Sequence, residues 1–360
     1  MSAETVISVD VMGGDGGPAP ILAGLNRALR EDPSLRFLLH GDMDTITRLI
    51  KRKRRLRDNA EVLHAEDVIP MDAKPSRALR TGRKSSLWKA LQAVAEGKAR
   101  VALSAGNTGA IVAMSMLALR RAPGVDRPAI AVHWPAEREH GFNVALDMGA
   151  DIRADAPSLL QYAIMGAEYS RLAFGIDRPR VGLLNVGSEE MKGGHDLHAA
   201  KALLDKLAAT TDPGFEFLGF VEGTDITTDR VEVIVTDGFT GNIAMKASEG
   251  TARFIRNSLK QAFSYSIWSR IGALFATTSF RRLRRRIDPR RVNGGVFLGL
   301  NGGVVKSHGS ADPLGHASAV HLAAKIATDD FPSLVAGQLA KLDIESLSEG
   351  IGADNGTSGK

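Results

Sequence analysis

The sequence predicts a doubly wound α/β fold, a mostly parallel sheet with helices on both faces. Three observations lead there. Short β-branched or apolar runs alternate with helix-period segments through most of the chain. Gly-rich polar loops repeatedly follow the strand-like runs, and in such sheets ligands bind where strands end. The 360 residues are 44% apolar and 24% charged, which is ordinary globular material.

Taken in order, residues 5–11 (TVISVDV) read as a strand and 21–30 as a helix, with Ile and Leu three to four apart. RFLLH at 36–40 is a strand and 45–56 a helix. Residues 87–96 are helical, 100–104 (RVALS) a strand, and 109–120 a helix. Strands are expected at 129–133 and 142–147, then a helix at 156–174. A strand at 180–186, a helix at 195–208, and strands at 215–221 and 231–236 complete the alternation.

Residues 251–276 depart from it. Ile255, Leu259, Phe263, Ile267, Ile271, Leu274 and Phe275 recur three to four apart, with Arg256, Lys260 and Arg270 among the polar positions. This is an amphipathic helix, or two helices broken near 264–266. Its apolar face would suit a core or dimer contact as well as a membrane surface. Arginines at 281, 282, 284, 285, 286, 290 and 291 adjoin it and favour a negatively charged partner. A second basic run, 51–57, reads as a solvated helix face. No linker divides residues 1–345, so one α/β domain is expected, with 251–291 as a projection. The Gly/Ser/Asp-rich 346–360 is expected to be a disordered tail.

Composition also excludes. With no cysteine, disulfides, thiolate metal sites and a cysteine acyl-enzyme are ruled out. No apolar run reaches the ~18 residues of a membrane span, and the N-terminus lacks a signal core. A cytoplasmic protein is expected.

Five loops carry the polar chemistry: 10–18, 104–109, 185–195, 237–242 and 300–310. Together they predict a cleft lined with hydrogen-bond donors. The fourth is the richest: VEVIVT is followed by Asp237, Gly238, Phe239, Thr240, Gly241 and Asn242, a strand–loop–helix start suited to an anion. Lys192, Lys246 and Lys306 strengthen the case for an oxyanion. No G-x-x-x-x-G-K-[ST] loop is present, which disfavours nucleoside triphosphate hydrolysis. Gly14-x-Gly16-x-x-Ala19 matches the dinucleotide pattern only loosely, and Pro18 and Pro20 crowd it. His195 and His198, three apart, have no obvious third metal ligand, and Asp147 and Asp151 suit a turn better than a cation. No Gly-x-Ser-x-Gly elbow appears. No metal, cofactor or nucleic acid is expected.

The loops resemble those of bacterial phosphate acyltransferases, which make acyl phosphate from acyl-carrier protein thioester and inorganic phosphate. MGGDGGP at 12–18, KPSRALRTGRKSS at 74–86, SAGNTGA at 104–110 and LDMGAD at 146–151 carry the likeness. NVGSEEMKGG at 185–194, FVEGTDI at 220–226, TDGFTGNIAMKASEG at 236–250 and GLNGGVVKSHGSADP at 299–313 extend it. The chain departs from the family's usual histidine at Gly16, asparagine at Asp151 and acidic residue at Ser188. The resemblance implies a fold similar to phosphotransacetylases and isopropylmalate-type dehydrogenases, a homodimer, and peripheral contact with the inner face of the cytoplasmic membrane.

It implies a mechanism in which phosphate, itself a nucleophile, is positioned against the thioester carbonyl. Lys192 and Lys306, with amides of the 107–109 and 238–242 loops, are expected to bind phosphate. Gly13, Gly14, Asn107, Thr108, Gly109, Gly238, Thr240, Gly241, Asn301, Gly302, Ser307 and Ser310 would line the site. Asn185 or Asn242 would donate to the thioester oxyanion, and His195 or His308 would serve the departing thiolate. Asp237 would orient a lysine or a loop amide. Arg77, Arg80, Arg83 and Lys84 would dock the acidic carrier protein. Ile267, Ile271, Leu274, Phe275, Arg281 and Arg282 would meet anionic lipid. The competing readings are a phosphotransacetylase using acyl-CoA, a nicotinamide-dependent dehydrogenase, and a non-enzymatic membrane scaffold.

Overall fold

The computed structural model describes residues 5–139, 141–189, 191–280, 282, 293–328 and 331–341. One sheet runs through it. Its strands are β1 (Thr5–Asp10), β2 (Leu35–Gly41), β3 (Ala60–His64), β4 (Val101–Ser104), β5 (Ala129–Pro135) and β6 (Phe142–Leu146). They continue with β7 (Arg180–Leu184), β8 (Glu216–Val221), β9 (Val233–Val235), β10 (Gly295–Leu298) and β11 (Gly303–Lys306). The spatial order is β3-β2-β1-β4-β11-β10-β5-β6-β9-β7-β8.

Two parallel blocks flank an antiparallel centre. β2 and β3 are parallel to each other and to β1, as are β4 and β11, and β6, β9, β7 and β8 form the second parallel block. Between them, β10 runs antiparallel to β11 and β5, and β5 antiparallel to β6. Three reversals point the second block opposite to the first. The C-terminal ends of β1, β4 and β11 therefore lie at one edge of the sheet, and those of β6, β7 and β9 at the other.

The core follows from the sequence pattern. Strands covered on both faces read as near-continuous apolar runs, as in Val101–Ser104 and Val233–Val235, all buried. The helix Ala156–Phe174 packs almost entirely inside, capped by Asp155 at its start and left-handed Gly175 at its end. Helix Pro18–Glu31 crosses Pro313–Thr328 at Gly24, where an added Cβ would stand 2.4 Å from that of His316.

Helix Gly238–Ser264 behaves differently. It has 27 residues, spans ~40 Å at 1.5 Å per residue, and buries only Gly238 and Gly241. Beyond its first turns it leaves the body, and helix Ile267–Phe275 folds back beside it. The expected break falls where predicted, with Ser266 capping the second helix. The predicted tail at 346–360 lies outside the described residues, as do Arg281 and the arginines at 284–291.

Candidate active site

Three of the five loops converge at the edge where β1, β4 and β11 end. Asp10 is buried, which pushes its carboxyl pKa up. It accepts from Ser104 Oγ at 2.7 Å and from the N–H groups of Met12 and Gly13. Gly13 is needed there because a Cβ would lie 2.7 Å from Asp10 Oδ2 and 2.9 Å from Gly106 N. Asp15 N–H then donates to Gly309 O at 2.9 Å, tying the first loop to the last, and Gly14 turns between them at φ 98°. Asn107 caps helix Thr108–Ala118 by accepting from Ala110 N–H at 2.9 Å, while its amide donates to Met71 O. Helix geometry leaves the Thr108 and Gly109 N–H groups without an intrahelical acceptor, facing the loop cluster.

Lys306, the last residue of β11, completes this corner. It is half-buried, and desolvation followed by the nearby charge of Lys246 lowers its pKa to about 8. His308 is held below its ordinary value by burial and then by Lys306. The Ser310 N–H donates to His308 Nδ1 at 3.3 Å, so the ring is neutral with its proton on Nε2. Such a ring donates a hydrogen bond but is a poor proton donor to a thiolate, which removes the general-acid role expected for it. Ser310 Oγ also lies 3.0 Å from Nδ1.

The long helix bridges the two edges of the sheet. It starts at the β6/β9 end, and its third turn brings Lys246 and Glu249 close enough to act electrostatically on both Lys306 and His308. Lys246 and Glu249 are themselves paired at 2.9 Å. With Asp15, which also acts on both, they are the site residues that sequence reasoning left out. The signal was the TDGFTGNIAMK spacing: once the helix is known to start at Gly238, Lys246 falls about two turns on.

The start of that helix is not an open anion hole. Gly238 N–H donates to Asp151 O at 2.8 Å, Thr240 N–H to the Asp237 carboxylate at 2.9 Å, and Gly241 N–H to Asp237 O at 2.9 Å. Thr240 Oγ1 donates to Asp237 as well. Asp237 thus orients a loop amide, as expected, but the amides of 238, 240 and 241 are taken. Both glycines serve close packing. A Cβ on Gly238 would stand 2.2 Å from Asp151 O, and one on Gly241 2.0 Å from Asp147 O. Asp147 underlies this seat: fully buried, its pKa pushed up to about 6 by desolvation, it accepts from the N–H groups of Ile130, Gly149, Ala150 and Asp151. Asp151 is in turn paired with Arg127 at 2.9 Å. Asn242 is exposed beside Gly149.

The third loop, 185–195, follows β7 at the other edge. Lys192 is exposed and bonded to Glu189 at 2.7 Å, which raises its pKa. Asn185 turns into its own loop, donating to Lys192 O and accepting from Val186 N–H. His195 is largely exposed, with Asp196 3.8 Å away. None of the three shares the Lys306 corner. Asn301 and Gly302 form the β10–β11 turn, at the far end of β11, where Asn301 Nδ2 donates to Arg121 O. Ser307 faces inward, 1% exposed, between Asn293 and His316.

The basic segment stands at the mouth of the corner. Arg77 and Arg80 lie exposed on helix Pro75–Thr81, followed by exposed Arg83 and Lys84. Pro75 seats against Gly109, whose added Cβ would meet Pro75 Cγ at 2.7 Å. Arg83 stacks over Trp88 at 5.5 Å, and Lys84 pairs with Glu66. On the projecting hairpin, Ile267, Trp268, Leu274 and Phe275 are strongly exposed, Phe275 by 84%, and Ile271 less so. Arg282 is exposed too. Among the described residues no helix is long and apolar enough to cross a membrane.

Comparison with known proteins now has a site to bear on. A family model described as fatty acid synthesis protein matches residues 5–334. The phosphate acyltransferase of Jannaschia sp. (strain CCS1) is 56% identical over 340 residues, covering 94% of this chain and 93% of the relative. That of Dinoroseobacter shibae is 55% identical over 336 residues, covering 93% and 87%. Among solved structures, a phosphotransacetylase from Streptococcus pyogenes aligns with a TM-score of 0.59 at 15% identity, covering 91% of this chain and 95% of that one. The EutD phosphotransacetylase from Staphylococcus aureus aligns with a TM-score of 0.56 at 16% identity, covering 90% and 94%. At these identities the structural likeness is one of fold.

Proposed function

The chain belongs to the phosphate acyltransferases of the fatty acid synthesis protein family, and we propose that it moves a fatty acyl group from acyl-carrier protein thioester to inorganic phosphate, held at Lys306. The observation that carries this reading is the corner itself. A half-buried lysine with a pKa lowered to about 8 meets a neutral histidine and the start of helix Thr108–Ala118, with Lys246 close by. These groups offer charge and N–H donors to a small oxyanion in a partly desolvated place, where each is worth more than in water.

The chemistry needs little else. An oxygen of the hydrogen phosphate dianion attacks the thioester carbonyl carbon, forming a C–O bond and an oxyanion. Collapse breaks the C–S bond. The proton carried by the phosphate passes to the departing thiolate, so acyl phosphate and the carrier thiol are released with no separate acid. Lys306 and the Thr108 and Gly109 N–H groups hold the phosphate, and the neutral His308 donates from Nε2 to phosphate or oxyanion. Glu249, paired with Lys246, keeps that lysine beside the corner while tempering the local positive charge.

Arg77, Arg80 and Arg83, exposed at the mouth, support an acidic carrier protein as the donor. The exposed apolar hairpin supports peripheral contact with an anionic membrane, and the sparsely covered long helix supports a homodimer. Incubation with phosphate and acyl-carrier protein thioester should yield an acyl phosphate that hydroxylamine traps as hydroxamate. Faster turnover of the acyl-CoA thioester would favour a phosphotransacetylase-like donor, and no phosphate-dependent product would defeat the reading.

A further inference from the structure

Directly beneath Lys306 and His308 runs a buried polar chain that the phosphate mechanism does not use. Asn293 Oδ1 accepts from the His308 N–H at 3.0 Å. The other end of the same amide, Nδ2, donates to Ser307 Oγ at 2.7 Å. Ser307 Oγ lies 3.0 Å from His316 Nδ1. His316 is 2% exposed, and burial lowers its pKa to about 4, so it is neutral at ordinary pH.

The directions of these bonds are fixed by donor counting. A backbone N–H can only donate, so Asn293 Oδ1 faces His308 and its NH₂ faces Ser307. Ser307 accepts from that NH₂ and spends its one hydrogen on the neutral ring, whose Nδ1 accepts. Every link therefore points one way, from the His308 backbone to His316.

Strand pairing does not require this arrangement. The Ser307 N–H is already satisfied by Ser104 O at 2.8 Å, so its hydroxyl adds nothing to the ladder. A buried hydroxyl beside a buried imidazole gains little stability over two apolar side chains of similar size, but fully satisfied it fixes one geometry. The anchor is rigid: the His316 backbone is pressed against Gly24 of the neighbouring helix.

We propose that His316 is a positioning residue for phosphate transfer, acting through Ser307 and Asn293 to hold the 306–308 backbone in its phosphate-binding shape. The proposal rests on the assignment of phosphate to Lys306.

Steady-state kinetics on the full chain test it, using His316→Leu, His316→Asn, Ser307→Ala and Lys306→Ala. Asparagine places an acceptor oxygen where Nδ1 stands, two bonds beyond Cβ. His316→Leu and Ser307→Ala should each raise the phosphate KM about tenfold, the worth of one hydrogen bond at a charged ligand. The donor KM should stay within about twofold, a split that lost packing would not give, and His316→Asn should recover most of the phosphate KM. Should His316→Leu fail to fold, Ser307→Ala carries the same expectation with one oxygen removed. Parallel rises in both KM values, or no rescue by asparagine, would overturn the positioning role. An unchanged phosphate KM in Lys306→Ala would instead overturn the phosphate assignment and the proposal with it.

Discussion

Gly241→Ala should damage catalysis from a position that carries no side chain at all. The added Cβ would sit 2.0 Å from Asp147 O, where 3.0 Å is the floor for real contacts, so the helix start must yield by about 1 Å. Asp147 cannot give way, because four backbone N–H groups hold its carboxylate. The displacement is carried along a stiff helix to Lys246 and Glu249, which face Lys306 and His308. Overpacking of this kind costs ~1–3 kcal/mol, and ~1 Å of misplacement at reacting groups costs ~10²-fold in rate. Thermal unfolding and kcat/KM for phosphate are the assays, with Gly250→Ala on the same helix as the control. A Cβ at Gly250 meets nothing within 4 Å. That variant should keep its activity and gain up to ~1 kcal/mol from helix propensity. Wild-type melting and kcat/KM in Gly241→Ala would refute the claim that this helix is seated on Asp147 and aims Lys246.

Further outcomes follow from charge and exposure. Because the Lys306 pKa is lowered to about 8, its positive charge is lost as pH rises through that value rather than through the usual lysine range. Phosphate KM should therefore climb above about pH 8, and Lys306→Arg, charged past pH ~12, should flatten the climb. A rise of the same shape in both proteins would exclude Lys306 as its source. Replacing Arg77, Arg80 and Arg83 with glutamate should raise the carrier-protein KM at low salt, by a factor that shrinks as salt screens the charges, and should spare the phosphate KM. A salt-independent effect would argue against an electrostatic dock. Serine at Ile267, Ile271 and Leu274 should release the protein from anionic vesicles while soluble activity persists, and undiminished binding would assign that face elsewhere.

Much of the fold was legible in residue periodicity. The helix expected at 156–174 is Ala156–Phe174, and the strands of both parallel blocks fall within a residue or three of their expected places. What periodicity could not supply was direction. β10 and β11 are four residues each and pair with strands more than a hundred residues away, so nothing local announces that the sheet reverses between its halves. That reversal is why five similar loops do not form one wall. The corner of Asn107, Thr108, Gly109, Lys306 and His308 was readable as a donor-rich cluster, whereas Lys192 and Asn185, equally polar in sequence, serve their own loop. Ser307 looked like a ligand because it follows a strand beside Lys306, but alternation along the extended chain turns it inward, toward His316.

Calorimetric titration with inorganic phosphate tests the central claim most directly, by setting Lys306→Ala against Lys192→Ala. Phosphate binding should weaken at least about tenfold on loss of Lys306, as expected for a charge-assisted contact in a partly desolvated site. Loss of Lys192, exposed and paired with Glu189, should leave it unchanged. Weakened binding in Lys192→Ala with wild-type binding in Lys306→Ala would move the phosphate to the other edge of the sheet and contradict the account.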